Sequence, residues 1–139
     1  MKELFLKQLA DEFQKIGNDF GFQKLITRSC INGWISEIYV INDHALQIEV
    51  DWMEYDLFMY AVYLKDKKLP PELITYRYDD GQWCRKHLLE IYKTKLPAKI
   101  LKKGKGQRYS IEQLNDFFEF YRQLIYSNPK VLTDFFESI

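Results

Sequence analysis

Residues 45–52 alternate between apolar and polar side chains with the two-residue period of a β-strand. In residues 45–52 the apolar set is Leu46, Ile48, Val50 and Trp52, and the polar set is Gln47, Glu49 and Asp51. Residues 57–64 carry a second apolar set, Leu57, Met59, Ala61 and Tyr63. Only the linker 53–56 separates the segments, so they are predicted to form an antiparallel hairpin. A register with Val50 opposite Met59 puts both apolar sets on one face.

The segments around this hairpin predict the remaining elements. An apolar stripe with helical spacing marks a helix over residues 2–20, made by Phe5, Leu9, Phe13, Ile16 and Phe20. Gly21 is expected to end that helix. Turn signals at Asn32-Gly33 and Asn42-Asp43 bound further strands at 23–30 and 34–41. Beyond Pro70-Pro71, we predict a short edge strand at 72–78.

The second half of the chain reads mainly as helices. Residues 82–92 carry apolar side chains with helical spacing, and a basic loop follows over 97–107. Ser110 and Gln113 have capping-box spacing and predict the start of a long helix. Asn128-Pro129 predicts the start of a last short one. The whole is an α+β fold: an N-terminal helix, an antiparallel sheet of about four to five strands, then two or three C-terminal helices. Its 139 residues suit a single domain, 1–139.

Composition narrows the class of protein. Aromatic residues make up 17% of the chain, which excludes intrinsic disorder. The two cysteines, Cys30 and Cys84, are too few for a disulfide framework and favour a reducing, cytoplasmic setting. No apolar stretch resembles a signal peptide or reaches the ~18 residues of a transmembrane helix, so no membrane association is expected.

Charge is segregated although its total is zero. Residues 29–64 hold six acids and no Lys or Arg. Tyr and Trp side chains are interleaved with these acids, a combination that suits capture of a basic protein. The residues predicted to contact such a partner are Glu49, Asp51, Glu54, Tyr55, Asp56 and Tyr60. Alternatively, the acidic strands and the basic region neutralise each other within the fold, or each is a solvated surface.

The basic region spans residues 85–108, which contain nine Lys and Arg residues and one acidic residue. If these cations lay on one face they could bind phosphates in a salt-sensitive way. The alternative function is therefore a small nucleic-acid-associated protein. Its predicted contact residues are Lys99, Lys102, Lys103, Lys105 and Arg108.

Catalytic and metal-binding patterns are weak. Glu49 and Asp51 share one side of a strand and could share a proton or hold a divalent metal, but an outward-facing polar strand face explains them as well. Cys84 and His87 lie three residues apart, without a tight cysteine pair to anchor a zinc site with them. We therefore expect no catalytic residues, no bound metal and no cofactor.

The C-terminal helices are rich in phenylalanine. Phe120 lies off the main apolar stripe formed by its neighbours. Either this helix is buried on two sides, or part of its apolar surface is exposed and supports a homodimer.

The size, the order helix–antiparallel sheet–helices and the acidic aromatic strand pair LQIEVDWMEYDLFMY resemble small bacterial immunity proteins of contact-delivered and polymorphic toxin systems. The resemblance implies a cytoplasmic, cofactor-free, non-enzymatic protein that neutralises a basic toxin domain through an acidic surface. The strongly basic segment departs from that pattern.

Overall fold

The computed structural model describes residues 2–29, 34–41, 43–51, 55–64, 85–97, 100 and 111–138. Its elements follow the predicted α+β order. The helices are α1 (Lys2–Phe20), α2 (Leu88–Ile91), α3 (Ile111–Ser127) and α4 (Pro129–Glu137). The strands are β1 (Gln23–Ser29), β2 (Trp34–Ile41), β3 (His44–Asp51), β4 (Asp56–Tyr63) and β5 (Arg85–His87).

The strands form one antiparallel sheet in the order β1-β2-β3-β4-β5, so each strand pairs with its neighbour along the chain. The first four strands agree with the predicted bounds to within one residue at each end. The pairing of β1 with β2 shifts between Lys24 and Ile26, which marks a bulge or irregularity. The strand predicted at 72–78 lies outside the described residues.

The predicted hairpin is present, but its register was wrong by two residues. Val50 lies opposite Leu57, and Ile48 lies opposite Met59. The turn ends one residue earlier than expected because Tyr55 adopts a left-handed conformation (φ 53°), which lets Asp56 begin β4 opposite Asp51. Since side chains alternate with a period of two, this shift leaves the composition of each face unchanged.

The first face of the sheet supports the main core. Its central residues are Leu46, Ile48, Val50, Leu57, Met59 and Ala61. Helix α1 contributes Phe5, Leu9, Phe13 and Ile16, and α3 contributes Leu114, Phe117, Phe118, Tyr121 and Ile125. Phe120 is half-buried and packs against this core. The homodimer stays a prediction.

The second face of the sheet is also buried. Its apolar cluster consists of Ile38, Ala45, Tyr60, Val62 and Leu64. The polar side chains of β3 that were expected to point outward lie on this face. They are buried too.

The helix predicted over 82–92 was only partly right. Residues 85–87 form β5, and the helix is limited to Leu88–Ile91. Arg85 lies opposite Val62, and His87 lies opposite Tyr60. Pairing with the edge of β4 satisfies backbone groups of this segment, so tertiary context overrides its helical pattern.

Two predicted helix boundaries are confirmed: the C-terminal end of α1 and the start of α4. Gly21 has φ 80° and ends α1: the Phe22 N–H donates to the Gly17 carbonyl (2.7 Å), and the Gly21 N–H donates to Asn18 (3.3 Å). Pro129 opens α4, as its position predicted. In the part of the chain that the structure describes, no helix is both long and apolar enough to cross a membrane.

Candidate binding site

The structure separates the predicted partner-binding residues into two groups. Glu49, Asp51 and Tyr60 were expected at the surface, but only 2%, 6% and 5% of them is exposed. They are buried because the sheet is covered on both faces. Tyr55 and Asp56 are half-buried and lie at the end of the β3–β4 hairpin. Glu54 and the predicted basic contact residues, Lys99, Lys102, Lys103, Lys105 and Arg108, lie outside the described residues.

Glu49 is the centre of a buried polar network on the second face of the sheet. Its Oε1 accepts hydrogen bonds from Arg85 Nη1 (2.8 Å) and from Gln47 Nε2 (3.0 Å). Gln47 Nε2 also lies 3.3 Å from the Ser36 hydroxyl oxygen. Burial raises the pKa of the Glu49 carboxyl above 4.5, and the Arg85 guanidinium opposes part of that rise. Glu49 is therefore a core ion-pair partner.

Arg85 connects the acidic strands to the basic region of the sequence. It is the first of the nine basic residues in 85–108, and β5 places it across β4 from Glu49. Its guanidinium carbon lies 4.5 Å from the centre of the Tyr60 ring, within cation–π distance. At this pair the acidic and basic segments do neutralise each other inside the fold. Tyr60 packs under the cation rather than standing out as an anchor.

The hairpin end concentrates negative charge. Asp51 and Asp56 lie directly opposite each other in the last pair of β3 and β4. The two carboxylates therefore add their negative charge at one position of the sheet. Tyr55, next to Asp56, packs against the main core and holds a left-handed backbone conformation that costs a residue with a side chain about 1–2 kcal/mol. Acidic and aromatic side chains thus lie together at a turn that contains one left-handed residue, Tyr55.

Sequence reasoning missed the role of His87. The imidazole Nδ1 accepts a hydrogen bond from the Leu89 N–H (3.0 Å), which makes His87 the N-cap of α2. Its Nε2 lies 3.4 Å from the Tyr121 hydroxyl oxygen. Rings of Phe58 and Tyr60 meet it edge-on. Histidine is not a preferred N-cap, so no local signal in the sequence could have indicated this role.

Metal chemistry has no cluster to support it within the described ranges, which contain no group of three His, Cys, Asp or Glu side chains placed to hold an ion. Comparison with family models, with curated proteins and with solved structures found no match. The candidate site consists of the acidic aromatic end of the β3–β4 hairpin, and Glu49 of the buried Glu49–Arg85 pair lies further along β3.

Proposed function

We propose that this chain is a non-enzymatic binding protein of the immunity type, which holds a basic toxin domain through the end of the β3–β4 hairpin. The observation that carries the proposal is the cross-strand pair Asp51–Asp56 beside a left-handed Tyr55. Residues with a side chain that are held in a left-handed backbone conformation persist only where the surrounding structure fixes them, and they cluster at binding sites. The proposal places the protein in the cytoplasm. Its two cysteines are too few for a disulfide framework, which suits that reducing compartment.

Charge and burial favour the hairpin end over the rest of the acidic segment as the binding surface. Glu49 is compensated by Arg85 inside the protein. Asp56 is half-buried. Asp51, its buried cross-strand partner, adds to the negative potential there. A Lys or Arg from a partner would be attracted to the negative charge that the two aspartates place at this end of the hairpin. Tyr55 would supply an aromatic contact, the type of residue that often dominates the binding energy at interfaces.

The chain offers a matched control for Asp56. Asp43 lies in the turn between β2 and β3, at the opposite end of β3, about 25 Å away for a strand of this length. Its side chain is 48% exposed. Reversing its charge changes the net charge of the protein as much as reversing Asp56 does, without touching the proposed site.

We expect the wild type and Asp43→Lys to capture the same basic protein from a lysate of the native host at low salt, and Asp56→Lys to lose it. With that partner purified, Asp56→Lys should slow association by about tenfold or more. The difference should shrink near 1 M salt, where the Debye length is about 3 Å. Tyr55→Gly should keep the turn, since glycine adopts positive φ readily, and weaken binding by speeding dissociation.

Two outcomes would contradict the proposal. One is equal loss of the partner in Asp43→Lys and Asp56→Lys, which would indicate a non-specific effect of net charge. The other is tight retention on heparin that disappears when Lys102, Lys103 and Lys105 are reversed. That result would favour the nucleic-acid alternative.

A further inference from the structure

Both ring nitrogens of His87 are engaged in a way that only one form of the ring satisfies. Nδ1 accepts the Leu89 N–H at 3.0 Å, so Nδ1 carries no proton. The neutral ring then carries its proton on Nε2, 3.4 Å from the Tyr121 hydroxyl oxygen. A protonated ring would instead present an N–H to the Leu89 N–H, and two donors cannot bond each other.

Four elements surround this ring. Phe58 and Tyr60 on β4 lie with their ring centres 5.9 Å and 5.2 Å from it, and Tyr121 on α3 lies 5.8 Å away. Charged groups close by are Glu90 on α2 and Arg85 on β5, whose effects oppose each other. A third charged group, Asp56 on β4, acts on the Tyr121 hydroxyl. The ring is thus enclosed mainly by aromatic side chains.

We propose that His87 is a proton-operated latch: the neutral ring fastens β5 and α2 to β4 and α3, and uptake of one proton from solvent releases them. Burial acts in the same direction, because it lowers the pKa of His87 below 6.5, and Glu90 opposes that effect only in part. The inference does not rest on the proposed function, since it follows from the contacts of His87 with α2, α3 and β4.

The short length of β5 makes release cooperative. β5 has three residues, and they pair with Tyr60, Ala61 and Val62. Arg85 belongs to the same strand, so detaching β5 also separates it from Glu49. Opening would therefore expose the outer edge of β4, and unpaired strand edges readily pair with another extended segment.

Hydrogen exchange over the range from about pH 7.5 to about pH 5 tests the latch. We expect protection of the Leu89 amide and of the β4–β5 amides, corrected for intrinsic exchange, to fall about tenfold per pH unit below 6.5. His87→Asn keeps a cap acceptor that does not titrate, and its protection should not depend on pH. His44→Asn removes the other histidine and should behave like the wild type.

Nitrogen-15 spectra of the wild type supply a measurement that does not depend on a variant folding. The latch requires His87 to be the Nε2–H tautomer at neutral pH and to titrate below 6.5. An Nδ1–H tautomer would overturn the proposal, as would titration at or above 6.5. So would protection in the wild type that does not change with pH, or equal pH dependence in His87→Asn.

Discussion

Lys93 occupies a backbone position at which glycine is usual. It follows α2 with φ 53°, and the same hydrogen-bond pattern that ends α1 at Gly21 ends α2 here. The Thr94 N–H donates to the Leu89 carbonyl (3.0 Å), and the Lys93 N–H donates to Glu90 (3.3 Å). This is a Schellman motif, whose left-handed residue has no Cβ penalty only when it is glycine.

Lys93→Gly is therefore expected to raise the free energy of unfolding by about 1 kcal/mol, measured by urea denaturation. Lys93→Ala keeps the penalty and serves as the control, with no gain expected. Gly21→Ala, at the equivalent position of α1, should lose a similar amount. If Lys93→Gly were no more stable than Lys93→Ala, the left-handed strain would not be what limits stability here.

Contact between α1 and β2 depends on the absence of a side chain at Gly17. A Cβ built there would lie 2.9 Å from Tyr39 Cδ1, closer than packed atoms normally approach. The Tyr39 ring is fixed on two sides: it meets Phe13 edge-on at 4.6 Å, and its hydroxyl donates to the Ala10 carbonyl (3.3 Å). The helix can lie this close to the strand because residue 17 is glycine.

Gly17→Ala should reduce the free energy of unfolding by about 1–3 kcal/mol, although alanine is the better helix former. Asn18→Ala is the matched control: Asn18 is exposed, and its replacement should change stability by no more than about 0.5 kcal/mol. Thermal or urea melts distinguish the two. A stabilised Gly17→Ala variant would mean that Tyr39 moves aside at little cost.

The Glu49–Arg85 pair joins the edge strand β5 to the centre of the molecule. Both side chains are at least 95% buried, and the pair spans 36 positions in the sequence. Removing one partner of a buried pair leaves an uncompensated charge and costs about 3–5 kcal/mol. Replacing both with apolar groups of similar size is often nearly neutral.

Arg85→Met should accordingly destabilise the protein by about 3–5 kcal/mol, and Glu49→Leu/Arg85→Met should recover most of that loss. The pH dependence follows from the raised pKa of Glu49: the folded state holds the carboxyl proton more tightly than the unfolded state. The stability that Glu49 contributes in Arg85→Met is therefore fully present below pH 4.5 and is lost as pH rises through the pKa of the folded state. A double-mutant cycle of urea melts with no coupling would refute this assignment.

Local periodicity determined much of the fold. The apolar stripe of α1, the alternation in β3, the apolar run of β4, the glycine after α1 and the proline at the start of α4 each act within a few residues. Secondary structure that depends on such neighbours is visible in the sequence. The hairpin position of Tyr55 and Asp56 followed from the same signals, because a linker between two alternating strands leaves little choice of where the turn lies.

The tertiary structure decided what depends on residues distant in sequence. Residues 85–87 became a strand because the edge of β4 was there to pair with them. The predicted hairpin register was off by two residues because both registers give the same faces, so alternation alone could not distinguish them. Glu49 and Tyr60 became core residues because the second face is covered, and Tyr121, 34 positions away, supplies the contact of the second ring nitrogen of His87. Side-chain alternation shows which groups share a face, but whether that face meets water or protein is set by the packing of the whole chain.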